Sequence, residues 1–448
     1  LNTHLPDPYF NLAEALAATQ QYEAALGFYQ QAVERSATPE TYLGTQLHIK
    51  MKICDWAGFH SHVGALLKAI DVAPRPLSPF TILGIPATAD QQRRCAEAFV
   101  KKVYPTPSGL TPPAIKPSPD ARKIRIGYLS SDLYAHATAF LMAELFELHD
   151  RSRFEIILFS YGKAPTDTMR ERVKKAADAF HDVAHLSDPE AATLIRQSAV
   201  DILVDLKGHT EGARLGILAQ HPAPIQVHYL GYPGTLGAAF IDYLIADNAL
   251  ITAADYDNYA EKIVHLPGSY QVNDRHRQIA PTTDNRQAHG LPDKGFVYCC
   301  FNNNWKITPE IFDVWMRLLG SNPDSVLWLI EDNPTAAKNL KKEAESRGIS
   351  ANRLIFARKL PLDAHLSRHR HADLFLDTPY YNAHTTASDA LWAGLPVLTL
   401  RGKTYAGRVG ESLLSAMNLD RLVAEDLQAY EQQAKDLAQH PDTLAEIK

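Results

Sequence analysis

Residues 377–400 read DTPYYNAHTTASDALWAGLPVLTL, a stretch that joins a buried strand to a polar turn and then to a helix. The run that leads into the turn, ADLFLD at 372–377, is short and apolar, as a central strand of a parallel sheet is. Apolar residues then recur with helical spacing from Thr385 until Gly394 and Pro396 end the pattern. The stretch therefore predicts one strand, turn and helix of an α/β fold.

The turn within this stretch has the features of an anion-binding site. His384, Thr385 and Thr386 bring backbone N–H groups, two hydroxyls and an imidazole to the start of the helix. Unpaired amides and the positive end of a helix dipole bind phosphate, and open α/β sheets bind ligands beyond the carboxyl ends of their strands. Asp389, one turn into the helix, is placed to reach a ribose hydroxyl. The alternative is an ordinary Ser/Thr helix cap, which needs only one side-chain oxygen.

Strand-like and helical patterns alternate on both sides of this stretch. The strand-like runs are KIRIGYLSS, FEIILFSYG, DILVDLKG, IQVHYLGYP and YLIAD, and then FVYCCFNN, SVLWLIED, RLIFA, ADLFLD and PVLTL. Helices are expected between them, for example at 168–179 and 212–220. The pattern predicts two doubly wound, Rossmann-like lobes, at 123–290 and 291–448, whose strand-end loops face a common cleft.

The first 104 residues predict an all-α segment. Residues 8–39 fit the aromatic, Leu and small-residue spacing of one tetratricopeptide repeat, with an ordinary amphipathic hairpin as the alternative. One apolar face is predicted to consist of Tyr9, Leu12, Ala13 and Leu16. Because a lone repeat cannot bury its own face, more helices are expected at 42–70 and more repeats before Leu1. Clustered prolines predict a linker at 105–122.

Composition narrows the class of protein. The 448 residues carry a formal charge of −6 and contain no basic run with interleaved aromatic residues, so a nucleic-acid partner is not expected. The four cysteines (Cys54, Cys95, Cys299 and Cys300) have no metal-ligand spacing and are expected to be reduced thiols. No apolar run is long enough to span a membrane and no signal-peptide pattern is present, so we expect a soluble, cytoplasmic protein without membrane partners.

Three further polar clusters follow predicted strands. The first places His136 near a helix start, where it could act as a base or orient a sugar, although such a histidine is more often a cap. The second, Asn302–Lys306 (NNNWK), offers amides and one ammonium to a phosphate, or is simply a polar loop. The third combines 208–214 with the turn at 230–235 (LGYPGT), where glycines would let backbone approach a ligand, as in many tight turns.

Two kinds of cofactor find no support in the sequence. GxGxxG and GxxxxGK[ST] motifs are absent, so no dinucleotide cofactor or P-loop is indicated. Asp255 and Asp257 form a DxD pair, but the pair lies in a helical stretch, TAADYDNYAEK, and a solvated turn is the better interpretation. Metal dependence is therefore not expected.

Taken together, several motifs resemble the O-linked N-acetylglucosamine transferase family, which is related to SPINDLY proteins. They are the tetratricopeptide segment, GYLSSDLYAHATAFLM, GHTEGAR, HPAPIQVHYLGYPGTLGAAFIDY, FNNNWKITPE and LDTPYYNAHTTASDALWAG. The chain looks like a bacterial member, with a short connection at 269–291 where animal members carry an inserted domain. The resemblance implies a GT-B fold, UDP-N-acetylglucosamine as donor, inversion at the anomeric carbon, and Ser or Thr hydroxyls of proteins as acceptors.

The resemblance also assigns roles to individual residues. His136 matches the histidine proposed as the base, with positioning of sugar or acceptor as the alternative. The residues implied at the diphosphate are Asn303, Lys306, His384, Thr385 and Thr386. His365 and Arg368 are implied at the uridine, and Asp389 is implied at the ribose. Gly231 and Pro233 are implied as backbone near the sugar. Leu362 stands where animal members have a nucleoside-contacting lysine, and Trp305 stands where they have a tyrosine, so donor affinity could differ.

Other functions remain open from the sequence. A GDP-fucose O-fucosyltransferase or a protein N-glucosyltransferase would share the phosphate site, and an inactive repeat protein would bind UDP without turnover. The implied partners are a nucleotide sugar and protein or peptide acceptors, with no resident cofactor and no metal. Contacts between helical repeats are expected as a route to oligomers.

Overall fold

A computed structural model describes residues 5–73, 77–105, 113–114, 122–163, 165–281 and 284–448. Contacts between Cα atoms divide the chain into two compact units. The C-terminal unit comprises Leu1–Ala73, Thr81–Thr88 and Gln278–Lys448, and the central unit comprises Pro74–Phe80 and Ala89–Arg277.

The N-terminal helices belong to the C-terminal unit. They are α1 (Asp7–Ala18), α2 (Tyr22–Arg35), α3 (Glu40–Lys52) and α4 (Phe59–Val72). Ala13, Ala25 and Tyr29 are fully buried where α1 packs on α2, so the predicted helix pair is confirmed. Leu12 was predicted on the buried face but is 36% exposed. On the helical wheel it lies at the edge of the face that Tyr9 and Ala13 bury. The assignment of the pair to a tetratricopeptide repeat stays a prediction.

The central unit is a doubly wound α/β domain preceded by one helix. Its elements are α5 (Ala89–Val103), β1 (Ile124–Ser130), α6 (Ala137–Leu148), β2 (Phe154–Ser160), α7 (Thr168–Lys175), β3 (Ala179–Asp182), α8 (Asp188–Gln197), β4 (Ile202–Asp205), α9 (Leu215–Leu218), β5 (Ile225–His228), β6 (Tyr243–Ala246) and β7 (Lys262–His265). All pairs are parallel, in the order β3-β2-β1-β4-β5-β6-β7. The reversal between β1 and β4 places the loops after these strands at a topological switch point.

The C-terminal unit contains a second parallel sheet. Its elements are β8 (Val297–Cys300), α10 (Pro309–Ser321), β9 (Val326–Ile330), α11 (Pro334–Ser346), β10 (Leu354–Ala357), α12 (Leu362–Arg368), β11 (Leu374–Leu376), α13 (Thr385–Trp392), β12 (Val397–Leu400), α14 (Val409–Ala416), β13 (Val423–Ala424), α15 (Leu427–Gln439) and α16 (Pro441–Ile447). The strand order is β10-β9-β8-β11-β12-β13, with the switch point between β8 and β11.

Two elements differ from the sequence prediction. The helix expected at 168–179 ends at Lys175, and Ala179 begins the edge strand β3, which pairs with β2. The helix expected at 212–220 is reduced to the single turn α9. Both segments are short, and pairing with the neighbouring strand or loop overrides weak local helical preference there.

The compact units group the chain differently from the predicted domains. The predicted helical domain at 1–104 is divided, because α1–α4 pack with the C-terminal unit whereas α5 packs with the central unit. Contacts divide the chain at Arg277–Gln278, and the domain boundary expected between residues 290 and 291 stays a prediction. Most of the linker predicted at 105–122 lies outside the described residues. None of the helices described is both long and apolar enough to cross a membrane.

Candidate active site

The polar turn after β11 is organised by one buried carboxylate, Asp377. Its Oδ1 atom accepts hydrogen bonds from the backbone N–H groups of Thr378 and Ala383, at 2.7 and 2.5 Å. Its Oδ2 atom accepts from the Thr399 hydroxyl at 2.7 Å. These bonds fold residues 378–383 back over the carboxyl end of the sheet and so set where α13 begins. Burial raises the pKa of Asp377.

Lys306 lies buried beside this turn. Its Nζ atom donates to the backbone oxygen of Asn382 at 2.9 Å and sits 4.0 Å from the centre of the Tyr381 ring. Among the described residues, no carboxylate forms an ion pair with it. Burial lowers the pKa of Lys306, and the charge of Asp377 offsets only part of that effect. An ammonium held in this way is stabilised by an anionic ligand.

Among the described residues, no side chain caps the start of α13. His384 occupies the N-cap position with φ −102° and ψ −91°, and its Nε2 atom lies 3.2 Å from the Ala406 backbone oxygen. The Thr386 hydroxyl donates to the side chain of Asn302 and not to a backbone group of the helix. The Ser/Thr-cap interpretation is therefore wrong, and the first amides of α13 remain available to an anion.

Phe301, His365 and Arg368 form a cluster of aromatic and cationic side chains in the same unit. Arg368 is 2% exposed, and the centre of its guanidinium group lies 4.6 Å from that of the Phe301 ring. Arg368 also contacts the His365 ring and donates to the Arg358 backbone oxygen at 2.6 Å. Burial lowers the pKa of Arg368 to about 10, and no carboxylate of the described residues pairs with it. Phe301 and Arg368 are thus both buried within this cluster.

The remaining residues predicted at the nucleotide differ in how far they are buried. Thr385 and Thr386 are half-buried in the first turn of α13, and Asp389 is buried one turn further on. Asn303 is exposed at the start of a short 3₁₀ helix, Asn304–Lys306. Two other amides of this loop, Asn302 and Asn304, are buried. Asn302 donates to the Thr378 hydroxyl at 2.9 Å. Asn302 was missed as a contributor because three adjacent asparagines cannot be told apart by pattern.

In the central unit, His136 caps helix α6. Its Nδ1 atom accepts a hydrogen bond from the Thr138 backbone N–H at 3.3 Å. Since Nδ1 is an acceptor there, the neutral ring carries its proton on Nε2. Burial lowers the pKa of His136, which favours this neutral form. The cap predicted as the alternative role is therefore present, together with an Nε2–H donor that the cap leaves free.

A buried ion pair that the sequence analysis did not single out lies beside His136. Asp132 Oδ2 lies 3.7 Å from His136 Nδ1 and 2.8 Å from the Nζ atom of Lys207. Lys207 follows β4, and its loop is shaped by Asp205, whose carboxylate accepts from the backbone N–H groups of Lys207 and Gly208. The sequence signal that could have revealed this ion pair is the presence of charged residues at or just after the ends of apolar strands.

The loop after β5 is held by a second buried pair and by glycine. His228 lies 3.0 Å from Asp205 and 2.8 Å from the Tyr232 backbone oxygen, both acceptors. Burial by itself lowers the pKa of His228, but the bond to Asp205 raises it overall. A Cβ atom on Gly231 would lie 2.0 Å from the Leu206 backbone oxygen, so only glycine fits there. Pro233 is buried in the same loop.

The predicted site residues thus form two sets, one in each unit. The set of the C-terminal unit is Asn303, Lys306, His365, Arg368, His384, Thr385, Thr386 and Asp389, and the set of the central unit is His136, Gly231 and Pro233. Asp255 of the DxD pair accepts hydrogen bonds from Thr252 as a capping box of a 3₁₀ helix. Its carboxylate is thereby engaged in a local turn, in agreement with the structural interpretation of that pair.

Comparisons with known proteins agree on one family. The profile of glycosyl transferase family 41 matches residues 112–284 and 279–448. A probable UDP-N-acetylglucosamine–peptide N-acetylglucosaminyltransferase, SEC, of Arabidopsis thaliana is 35% identical over 81% of this chain and 38% of its own length. The corresponding enzyme of Caenorhabditis elegans is 26% identical over 88% of this chain and 45% of its own length. The chain therefore spans less than half the length of these relatives.

A solved structure extends the likeness to the fold. The O-GlcNAc transferase of Thermobaculum terrenum, solved as a point mutant, is 26% identical, with a TM-score of 0.82 over 100% of this chain and 85% of that one. The predicted fold class, two Rossmann-like sheets preceded by helices, is confirmed.

Proposed function

This chain belongs to glycosyl transferase family 41, and on that basis we propose that it transfers N-acetylglucosamine from UDP-N-acetylglucosamine to Ser or Thr hydroxyls of proteins, with inversion. The observation that carries the proposal is the buried Lys306, which has no carboxylate partner among the described residues and lies beside the uncapped start of α13. That combination suits a diphosphate leaving group. The GT-B fold, with its two Rossmann-like sheets, is consistent with this proposal.

The C-terminal unit would stabilise the departing UDP. In-line attack on the anomeric carbon leaves negative charge on the diphosphate, and Lys306 with the amides of Thr385 and Thr386 would meet that charge without a metal ion. Preorganised donors of this kind typically contribute about 3 kcal/mol each to transition-state stabilisation. His365 and Arg368 would hold the uracil, and Asp389 the ribose.

His136 would act on the sugar or the acceptor. In the neutral ring described above, Nε2 is a donor, which supports a role in orienting the sugar by a hydrogen bond. Taking the acceptor proton would require the ring to release the Thr138 N–H and change tautomer. Gly231 and Pro233 would offer backbone close to the sugar.

A donor and acceptor screen tests the proposed function. The protein is incubated with candidate protein acceptors and UDP-N-acetylglucosamine, GDP-fucose or UDP-glucose, and the products are identified by intact mass. We expect the mass of one N-acetylhexosamine on Ser or Thr. Transfer of fucose, or of glucose to Asn, would establish one of the related activities instead, and UDP binding without transfer to any acceptor would favour an inactive interaction protein.

We expect UDP to bind without a divalent metal, because the chain offers amides and Lys306 to the diphosphate and not a credible DxD pair. Calorimetric titration with and without EDTA measures this directly. A loss of UDP affinity of about tenfold or more on chelation, roughly 1.4 kcal/mol, would contradict metal-free binding.

UDP binding is also expected to take up protons at about pH 9, between the lowered pKa of Lys306 and the ordinary lysine value. Part of the free protein then carries a neutral amine, and the diphosphate raises the pKa of Lys306 by stabilising its ammonium form. UDP affinity should therefore fall as pH rises through the lowered pKa. Calorimetry in buffers of different ionisation enthalpy measures the uptake, and Lys306→Met should abolish it. A pH-independent UDP affinity in the wild type would refute this linkage.

We propose the partners, the cellular location and the route to oligomers from the family resemblance alone. The partners would be a nucleotide sugar and protein or peptide acceptors, with no nucleic acid or membrane, and the location would be cytoplasmic. Self-association through the N-terminal helices would be the route to oligomers.

A further inference from the structure

Trp305, the neighbour of Lys306, is clamped by the N-terminal helices. The ring of His48, on α3, lies with its centre 5.3 Å from that of the indole. A Cβ atom on Gly84 would lie 2.9 Å from Cζ3 of the indole and 3.3 Å from Cε of Met51. Trp305 is 5% exposed. The helical segment and the chain at 81–88 thus leave the indole no space to move.

The Trp305 indole also contacts the polar turn after β11, residues 378–383. Its ring meets Tyr381 edge-on at 4.9 Å, and Tyr381 in turn stacks on His384 at 4.6 Å. Lys306 Nζ lies 4.0 Å from the centre of the same Tyr381 ring. A continuous series of close-packed rings therefore runs from α3 to the ammonium group and to the start of α13. Close-packed side chains transmit small displacements, because no free volume absorbs them.

We propose that the N-terminal helical segment fixes the donor-phosphate site, with His48, Gly84 and Trp305 as positioning residues that set Lys306 and His384 through Tyr381. This proposal rests on the donor site of the proposed function. It gives the helical segment a role in donor affinity, which is separate from any contact with acceptors. Burial lowers the pKa of His48 to about 3, so its ring adds no charge that could repel the ammonium.

Gly84→Ala tests the proposal, with Gly64→Ala in α4 as the matched control, because a Cβ atom at Gly64 would meet nothing within 4 Å. In Gly84→Ala we expect the indole to shift, UDP affinity to fall about tenfold, and proton uptake on UDP binding at about pH 9 to change. The control should match the wild type in both measurements. A purely structural role would lower the melting temperature and leave the proton uptake unchanged.

A second variant keeps the test decisive if Gly84→Ala destabilises the protein. In a Trp305→Phe background the smaller ring leaves space for the added methyl, so Gly84→Ala should have little further effect on UDP affinity. Equal losses in both backgrounds, or unchanged UDP affinity in folded Gly84→Ala, would overturn the proposal. Failure of the wild type to bind UDP would instead count against the proposed function.

A separate cluster of the C-terminal unit has the chemistry of a metal site. His289 Nε2 lies 2.7 Å from one oxygen of Asp284, and His371 Nε2 lies 3.0 Å from the other. The three ligand atoms lie within 4.8 Å of one another. Two imidazoles and a carboxylate form a ligand set that Zn²⁺ accepts, and Asp284 is 40% exposed, so water can complete the coordination.

We infer that Asp284, His289 and His371 bind one Zn²⁺-like ion with a structural role, which ties residues 284–289 to the segment after α12. The His289 ring also packs on Trp328, 5.2 Å between centres, so the ion would brace the aromatic cluster through this contact. Its binding would stabilise the folded state by mass action. Chelation would then lower the melting temperature without weakening UDP binding tenfold.

Titration of the chelated protein with Zn²⁺ alone tests this site. We expect saturable binding of one ion, and a higher melting temperature, in the wild type and in His60→Ala, whose side chain is 77% exposed elsewhere. Both responses should be lost in His289→Ala and in His371→Ala, with folding of the variants checked by retained UDP binding. No saturable binding in the wild type, or undiminished binding in either variant, would refute the site.

Discussion

Lys306→Met is expected to lower kcat by about 10²- to 10³-fold at saturating donor, while UDP affinity falls by only about tenfold. The ammonium meets charge that grows on the diphosphate as the sugar bond breaks, so its contribution is larger in the transition state than in the bound ground state. Methionine keeps the length and packing of the side chain over Tyr381. Single-turnover transfer and calorimetric titration with UDP measure the two effects.

Lys338→Met is the matched control, because Lys338 is exposed on α11. It should leave both quantities unchanged. If Lys306→Met greatly weakens UDP binding but, at donor concentrations that restore saturation, transfers sugar at the wild-type rate, Lys306 only binds the donor and the leaving-group role is wrong.

His136→Ala is expected to reduce transfer by roughly 10²- to 10⁴-fold and to leave UDP affinity close to that of the wild type. The residues proposed to contact UDP belong to the C-terminal unit, whereas His136 belongs to the central unit. The loss should therefore appear in the chemical step. Because His136 also caps α6, alanine should in addition cost about 1 kcal/mol of stability.

His136→Asn separates the two roles of this side chain. Asparagine is a good N-cap residue and can accept the Thr138 N–H, so this variant should regain the melting temperature. It should not regain transfer, because it lacks the imidazole Nε2–H. Recovery of transfer together with stability would show that the cap is the only role of His136.

Local patterns predicted the secondary structure near the site well. The strand, turn and helix at 372–394 are confirmed, because a buried strand and a glycine-terminated helix are encoded by neighbouring residues. The loops carrying His136 and Lys306 also follow strands as predicted. Prediction failed in the short segments 168–179 and 212–220, where few residues report the local preference and pairing decides.

The contacts that define the candidate site join distant parts of the chain. Asn302 hydrogen-bonds Thr378, and Asp132 pairs with Lys207, so no periodic pattern links either pair. Spacing showed that polar residues follow strands, but not that Asn302 and Asn304 are buried while Asn303 is exposed. The division of the N-terminal helices between two units likewise depends on long-range packing.

The sequence by itself determined the alternation of elements, the glycine and proline positions and the helix start at Thr385, because these follow from backbone preferences within a few residues. The family resemblance added the donor and the residue roles. Only the tertiary structure decided that Lys306 is buried without a carboxylate partner among the described residues, that Asp377 folds the polar turn after β11, and that Trp305 connects this turn to α3. The physical reason is that burial and side-chain contact are set by chain segments that meet only after folding.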